Sequence, residues 1–126
     1  MTWCIVVVYW LVGLTWALVV GHFGAWAVVK GVRAYLPAAR PAAGDGIPAW
    51  LTGIIERLFF TTAVALESSG AAPAMMAWMA IKLAANWNRA QTPPPNVAAV
   101  LSAVLGGLVS MFFALTGGVI CRSWRP

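Results

Sequence analysis

Charge is scarce in this chain of 126 residues: 9% are charged, and only three are acidic, Asp45, Glu56 and Glu67. A soluble domain carries roughly 25%. There is one histidine, His22, and there are two cysteines, Cys4 and Cys121. So few titratable groups leave little room for general acid–base chemistry. No nucleophile elbow, HExxH pair or phosphate-cradling glycine loop is present. One histidine and two isolated cysteines do not have the spacing of a zinc site. No enzyme activity, metal or cofactor is therefore expected. In contrast, 62% of the chain is hydrophobic. A soluble fold of this size has too little interior to hide that surface, and a disordered chain would not carry it. The class that remains is an integral membrane protein.

The apolar residues fall into four runs. Trp3 to Val29 has no charged residue and, as a helix, is about 40 Å long, more than the roughly 30 Å hydrocarbon layer. It reads as a retained span and not as a signal peptide, because no basic residue precedes it and no cleavage site stands out. A basic, helix-breaking loop with Lys30, Arg33, Arg40 and Pro37, Pro41, Pro48 follows. The second run, from Trp50, ends at the turn Glu67-Ser68-Ser69-Gly70, where Ser69 is placed to cap the next helix. The third runs from Ala71 to Trp87, and a proline-stiffened loop, Asn88 to Asn96, separates it from the uncharged stretch Val97 to Cys121. The expectation is an all-α, polytopic bundle of four transmembrane helices forming one domain, with spans at about 3–29, 50–67, 71–87 and 97–121. The short middle pair is read as full spans in preference to a re-entrant hairpin, since snorkelling ends extend their reach.

The net charge of +5 comes from basic residues scattered at the ends of these runs, which fits topology control and not nucleic acid. Placing Lys30, Arg33, Arg40 and Arg89 in the cytoplasm leaves only Arg122 and Arg125 outside, so both termini are expected outside a bacterial inner membrane. Trp3 and Trp124 then mark one interface and Trp26, Trp50 and Trp87 the other, while Trp10, Trp16 and Trp78 pack deeper. Cys4 and Cys121 share the outer side, either as a disulfide or as two small apolar residues.

Small residues line two helix ridges at every fourth position: Ala98, Ser102, Gly106, Ser110, Ala114 and Gly118 in the fourth run, and Gly13, Ala17, Gly21 and Ala25 in the first. In lipid, helices gain by close backbone approach, which small residues allow. The fourth-run ridge is open to two partners, the first helix of its own chain or a second copy.

Glu56 and Lys82 each lie thirteen residues from Ser69, at one depth in an antiparallel hairpin, and are expected to pair. Asn86 and Arg89 extend the polar stripe of Lys82, and Arg57 is expected to snorkel to the cytoplasmic headgroups. The pair reads either as part of an ion, proton or solute path, with His22 as an accessory group, or as a lock on hairpin register. Thr15, Thr61, Thr62 and Thr116 are expected to bond to carbonyls of their own helices.

The stretch Trp50-Leu51-Thr52-Gly53-Ile54-Ile55-Glu56-Arg57, followed after an apolar gap by Ala80-Ile81-Lys82, resembles a pattern in small uncharacterised membrane proteins of bacteria and phages. There a Gly-x-Ile/Leu-Glu-Arg opening precedes a hairpin ending in Ala-x-Lys; Leu83 stands where those proteins carry serine. The resemblance implies a reusable hairpin and no catalytic role. Two functions follow as expectations. One is a non-catalytic protein acting through helix packing, as a homo-oligomer or as a subunit of a membrane complex. The other is a small channel, transporter or holin-like pore built on Glu56 and Lys82.

Overall fold

The computed structural model describes residues 2–36, 48–91 and 96–124, apart from the side chains of Thr2, Arg89 and Ala90. Every element among them is helical. Helix α1 runs as Thr2–Thr15, a π turn at Trp16–Val20 and Gly21–Tyr35; α2 is Ala49–Ala65, α3 Ala71–Ala90 and α4 Val97–Arg122. Two of the four, α1 over Trp3–Tyr35 and α4, are long and apolar enough to cross a membrane.

Local chemistry sets the ends. Leu36 leaves the helical region at φ −124° and ψ 83°, as expected of a residue before a proline. The first helix thus continues past Val29, where a loop was expected, and holds Lys30 and Arg33 in its last turns, because nothing before Pro37 breaks it. α2 starts after Pro48, whose carbonyl accepts from Leu51 N–H at 3.0 Å. It ends in a Schellman motif with Glu67 at φ 56°, Ser68 N–H to the Ala63 carbonyl and Glu67 N–H to the Val64 carbonyl. Gly70, not Ser69, holds the cap position of α3, without a side-chain bond. α3 continues past Trp87 to Ala90. Asn96 caps α4, its side-chain oxygen accepting from Ala99 N–H at 2.9 Å.

α4 is the hub. It packs against the other three helices, whereas among the described residues α1 and α3 do not meet. Met79 of α3 lies against Gly107, and Gly13 of α1 against Gly117 and Cys121, while Val29 sits against Gly106, so α1 and α4 run antiparallel. Thr61 and Val64 of α2 follow Ala114 and Gly118 in parallel order. The chain therefore alternates direction from helix to helix. Phe60, Val64, Ala71, Met75, Met111 and Ala114 form the apolar core where α2, α3 and α4 meet.

Neither ridge runs straight over its full length. A four-residue step overshoots an α-helical turn by about 40°. The α4 ridge consequently winds around its helix, from Gly106 against Val29 of α1 to Ser110, Ala114 and Gly118 against Arg57, Thr61 and Val64 of α2. It is used within the chain, on two neighbours. In α1 the wider π turn, closed by Gly21 N–H to the Trp16 carbonyl, takes up the overshoot and keeps Gly13, Ala17 and Gly21 buried on one side. Ala25 is only half-buried, and Gly24 instead meets the Phe113 ring. A close backbone approach also uses Gly117, which lies outside the ridge: a Cβ there would fall 2.7 Å from the Gly13 carbonyl oxygen and 2.8 Å from Ala17 Cβ.

Gly117→Ala should therefore lower stability by about 1–3 kcal/mol, since backbone cannot step aside. Gly31→Ala, whose new methyl meets nothing within 4 Å, should leave it unchanged or raise it slightly. Thermal unfolding of both variants in the same detergent measures the difference; equal losses would contradict this packing.

Candidate functional site

The polar centre of the fold is built on two consecutive residues of α2. Successive helical side chains diverge by about 100°, so Glu56 and Arg57 face different neighbours. Glu56 turns to α3, where Lys82 Nζ donates to its two carboxylate oxygens at 2.8 and 2.9 Å. The carboxylate is dry, at 6% exposure, and the lysine keeps 29% of its surface open. The hairpin register brings the two groups level, and the partly open ammonium lowers the cost of burying the pair.

Arg57 turns to α1 and α4. It is 3% exposed, so the snorkelling expected of it does not occur. Two glycines admit it. A Cβ at Gly21 would lie 3.0 Å from Arg57 Cδ, and one at Gly53 would lie 3.2 Å from Nη1. Long helical side chains point back toward the N-terminus, which sets the guanidinium beside Gly53, one turn earlier. Nη1 donates to Ser110 Oγ at 3.0 Å; Nε and Nη2 are buried without an acceptor. Ser110 is thus a polar partner, whereas its place in the ridge marked it only as small. Gly53, one turn before Arg57 on its own helix, is the one gap the sequence could have offered; Gly21 lies on another helix and gives no such signal.

The remaining candidates stand apart from this centre. His22 is half-buried, its ring edge-on to Phe23 at 5.7 Å, and among the described residues no hydrogen bond ties it to Glu56, Arg57 or Lys82. Asn86 is half-buried on α3, and the Arg89 side chain lies outside the described residues. Ser102 Oγ is buried without a partner. Thr62 and Thr116 bond to carbonyls of their own helices at 2.8 and 2.9 Å, but Thr61 crosses to the Ala114 carbonyl of α4 at 3.2 Å. Trp16 Nε1 donates to Thr116 Oγ1 at 2.9 Å and packs its ring against Phe113, pinning the π turn to α4. Trp78 is exposed and Trp10 half-buried. Both cysteines are free, Cys4 exposed and Cys121 buried with its thiol facing the Trp10 carbonyl. At the far end of α1, Lys30 Nζ lies 4.6 Å over the Trp26 ring, beside a shallow groove that includes Arg33. Among the described residues no group of three or more His, Cys, Asp or Glu could hold a metal ion.

No family model matches the chain, and no curated protein or solved structure is significantly similar to it. The chemistry of the site is therefore read from its own residues.

Removing one partner of the ion pair strands the other. Lys82→Met should destabilise the fold by about 3 kcal/mol, because the dry Glu56 carboxylate loses its cation. The double variant Glu56→Gln, Lys82→Met should recover most of that loss. A denaturation series on the single and double variants gives the coupling; additive effects would show that the pair contributes little.

Proposed function

We propose that this is an integral membrane protein of four spanning helices, both termini outside a bacterial inner membrane, that acts through helix packing as a homo-oligomer or as a non-catalytic subunit. The observation that carries this reading is the bare side of α4. Leu101, Leu105, Leu108, Phe112, Leu115 and Val119 are all exposed, at alternating steps of four and three residues. That spacing is the heptad of a helix–helix seam. The stripe lies between α1 and α3, which leave it open because they do not touch each other. With the small-residue ridge used inside the chain, this stripe is the face of the hub helix left for a second chain, and van der Waals packing is the force available there.

The orphaned donors of Arg57 favour a second reading, a polar path for an ion or small solute past Glu56, Arg57 and Lys82. A holin-like pore is a variant of it. Its signature is flux into liposomes that Glu56→Gln abolishes without unfolding the protein.

In a Cys4→Ser background, Leu108→Cys should form a disulfide-linked dimer in native membranes, and Phe59→Cys, exposed on α2, should not. Monomer alone at every stripe position would remove the pairing. For topology, Ser69→Cys should react with an impermeant thiol reagent from outside and Gln91→Cys only after lysis. Labelling of both from one side would rule out four spans.

A further inference from the structure

The last turns of α1 carry a groove of about 350 Å³, lined by Trp26, Val29, Lys30, Arg33 and Ala34. These positions are spaced by three and four residues, so they share one side of the helix. Trp26, Val29 and Ala34 give the groove apolar walls, and Lys30 and Arg33 give it two cations. The cations are three residues apart, about 4.5 Å along the helix axis, close enough to share one phosphate group.

Neither cation is neutralised within the described residues. The ion pair there joins Glu56 to Lys82, and no hydrogen bond uses a nitrogen of Lys30 or Arg33. Of the Arg33 guanidinium only Nε is covered by protein, so its two terminal nitrogens stay open to a ligand. Lys30 Nζ is held 4.6 Å over the Trp26 ring, which fixes the ammonium at the groove. A phosphate would meet two placed charges, whereas a choline group would bring a third positive charge beside them. The surface leading into the groove is apolar: Phe23, 62% exposed, lies one turn before it on the same side of the helix as Trp26, itself 55% exposed. A soluble anion gains nothing from those rings, but a lipid can lay its acyl chains along them.

We propose that this groove holds the headgroup phosphate of one anionic phospholipid, bound by Lys30 and Arg33, with the acyl chains beside Phe23 and Trp26. The terminal nitrogens of Arg33 match a phosphate in shape and charge, and Lys30 adds a point charge. The site rests on the membrane-spanning reading, in whose orientation this end of α1 meets the cytoplasmic leaflet. It gives the two basic residues a specific ligand beyond their part in topology.

The test is native mass spectrometry of the purified, delipidated full chain in neutral detergent, offered phosphatidylglycerol and phosphatidylcholine with the same acyl chains. One phosphatidylglycerol should be retained in preference. Lys30→Gln and Arg33→Gln should each weaken its apparent affinity about fivefold, and together about thirtyfold. Arg122→Gln, at the opposite end of the bundle, should leave it unchanged. Should the double variant fail to fold, the two single variants carry the test. Equal retention of the two lipids overturns the assignment, as does a preference that survives removal of either cation undiminished. Glycerol phosphate that binds as tightly as the lipid makes this a site for a soluble phosphate, and the lipid assignment falls. A chain that stays dissolved without detergent overturns the membrane reading itself, whereas a detergent-dependent chain with no lipid preference loses this site alone.

Discussion

The fold depends on one close approach, the backbone of α1 against the backbone of α4 at Gly13 and Gly117. Neither position carries a side chain, so the helices meet at a distance that any larger residue forbids. Everything else is arranged around α4 as a consequence. With α1 held tightly on one flank, α2 fits beside it along Ser110, Ala114 and Gly118, and α3 closes the far flank through Met75 and Met79. In a lipid environment this is the expected order of forces, since burying leucine away from acyl chains gains little and backbone proximity gains more.

The same economy of side chains makes room for charge. Arg57 enters the interior only because Gly21 and Gly53 leave its stem and head uncrowded. Its neighbour Glu56 points to α3 and is neutralised there by Lys82. One helix thus places an anion toward one partner and a cation toward two others. Lys82 takes both carboxylate oxygens of Glu56, whereas the guanidinium has the Ser110 hydroxyl as a partner and feels the Glu56 charge without a bond to it.

Much of this was legible in the sequence, and the remainder failed for definable reasons. The all-helical class follows from long uncharged runs, and the shared depth of Glu56 and Lys82 from their equal distance to Ser69. The direction of Arg57 was not legible, because snorkelling and burial begin from the same position on the helix and differ only in whether facing residues leave a gap. Those residues, Gly21 and Ser110, lie on other helices. The ridges misled in a related way. Four-residue spacing marks a spiral and not a line, so it names the small residues without saying which neighbour each one meets. The π turn at Trp16–Val20 corrects that drift in α1, yet nothing in the composition of Trp-Ala-Leu-Val-Val announces it; Thr116, a hundred residues away, holds Trp16 in place.

The exposed stripe of α4 and its contact with Arg57 lie on opposite sides of the helix. Ser110 is two residues from both Leu108 and Phe112, a separation of about 160–200° around the helix. The stripe open to a second chain therefore faces away from the Arg57 guanidinium. Association through the stripe would leave each Arg57 enclosed by helices of its own chain. Pairing and the burial of Arg57 are in that case separate properties of one hub helix, linked only through its rigidity. A variant that disrupts one should spare the other, unless it alters the Gly13–Gly117 contact on which both depend.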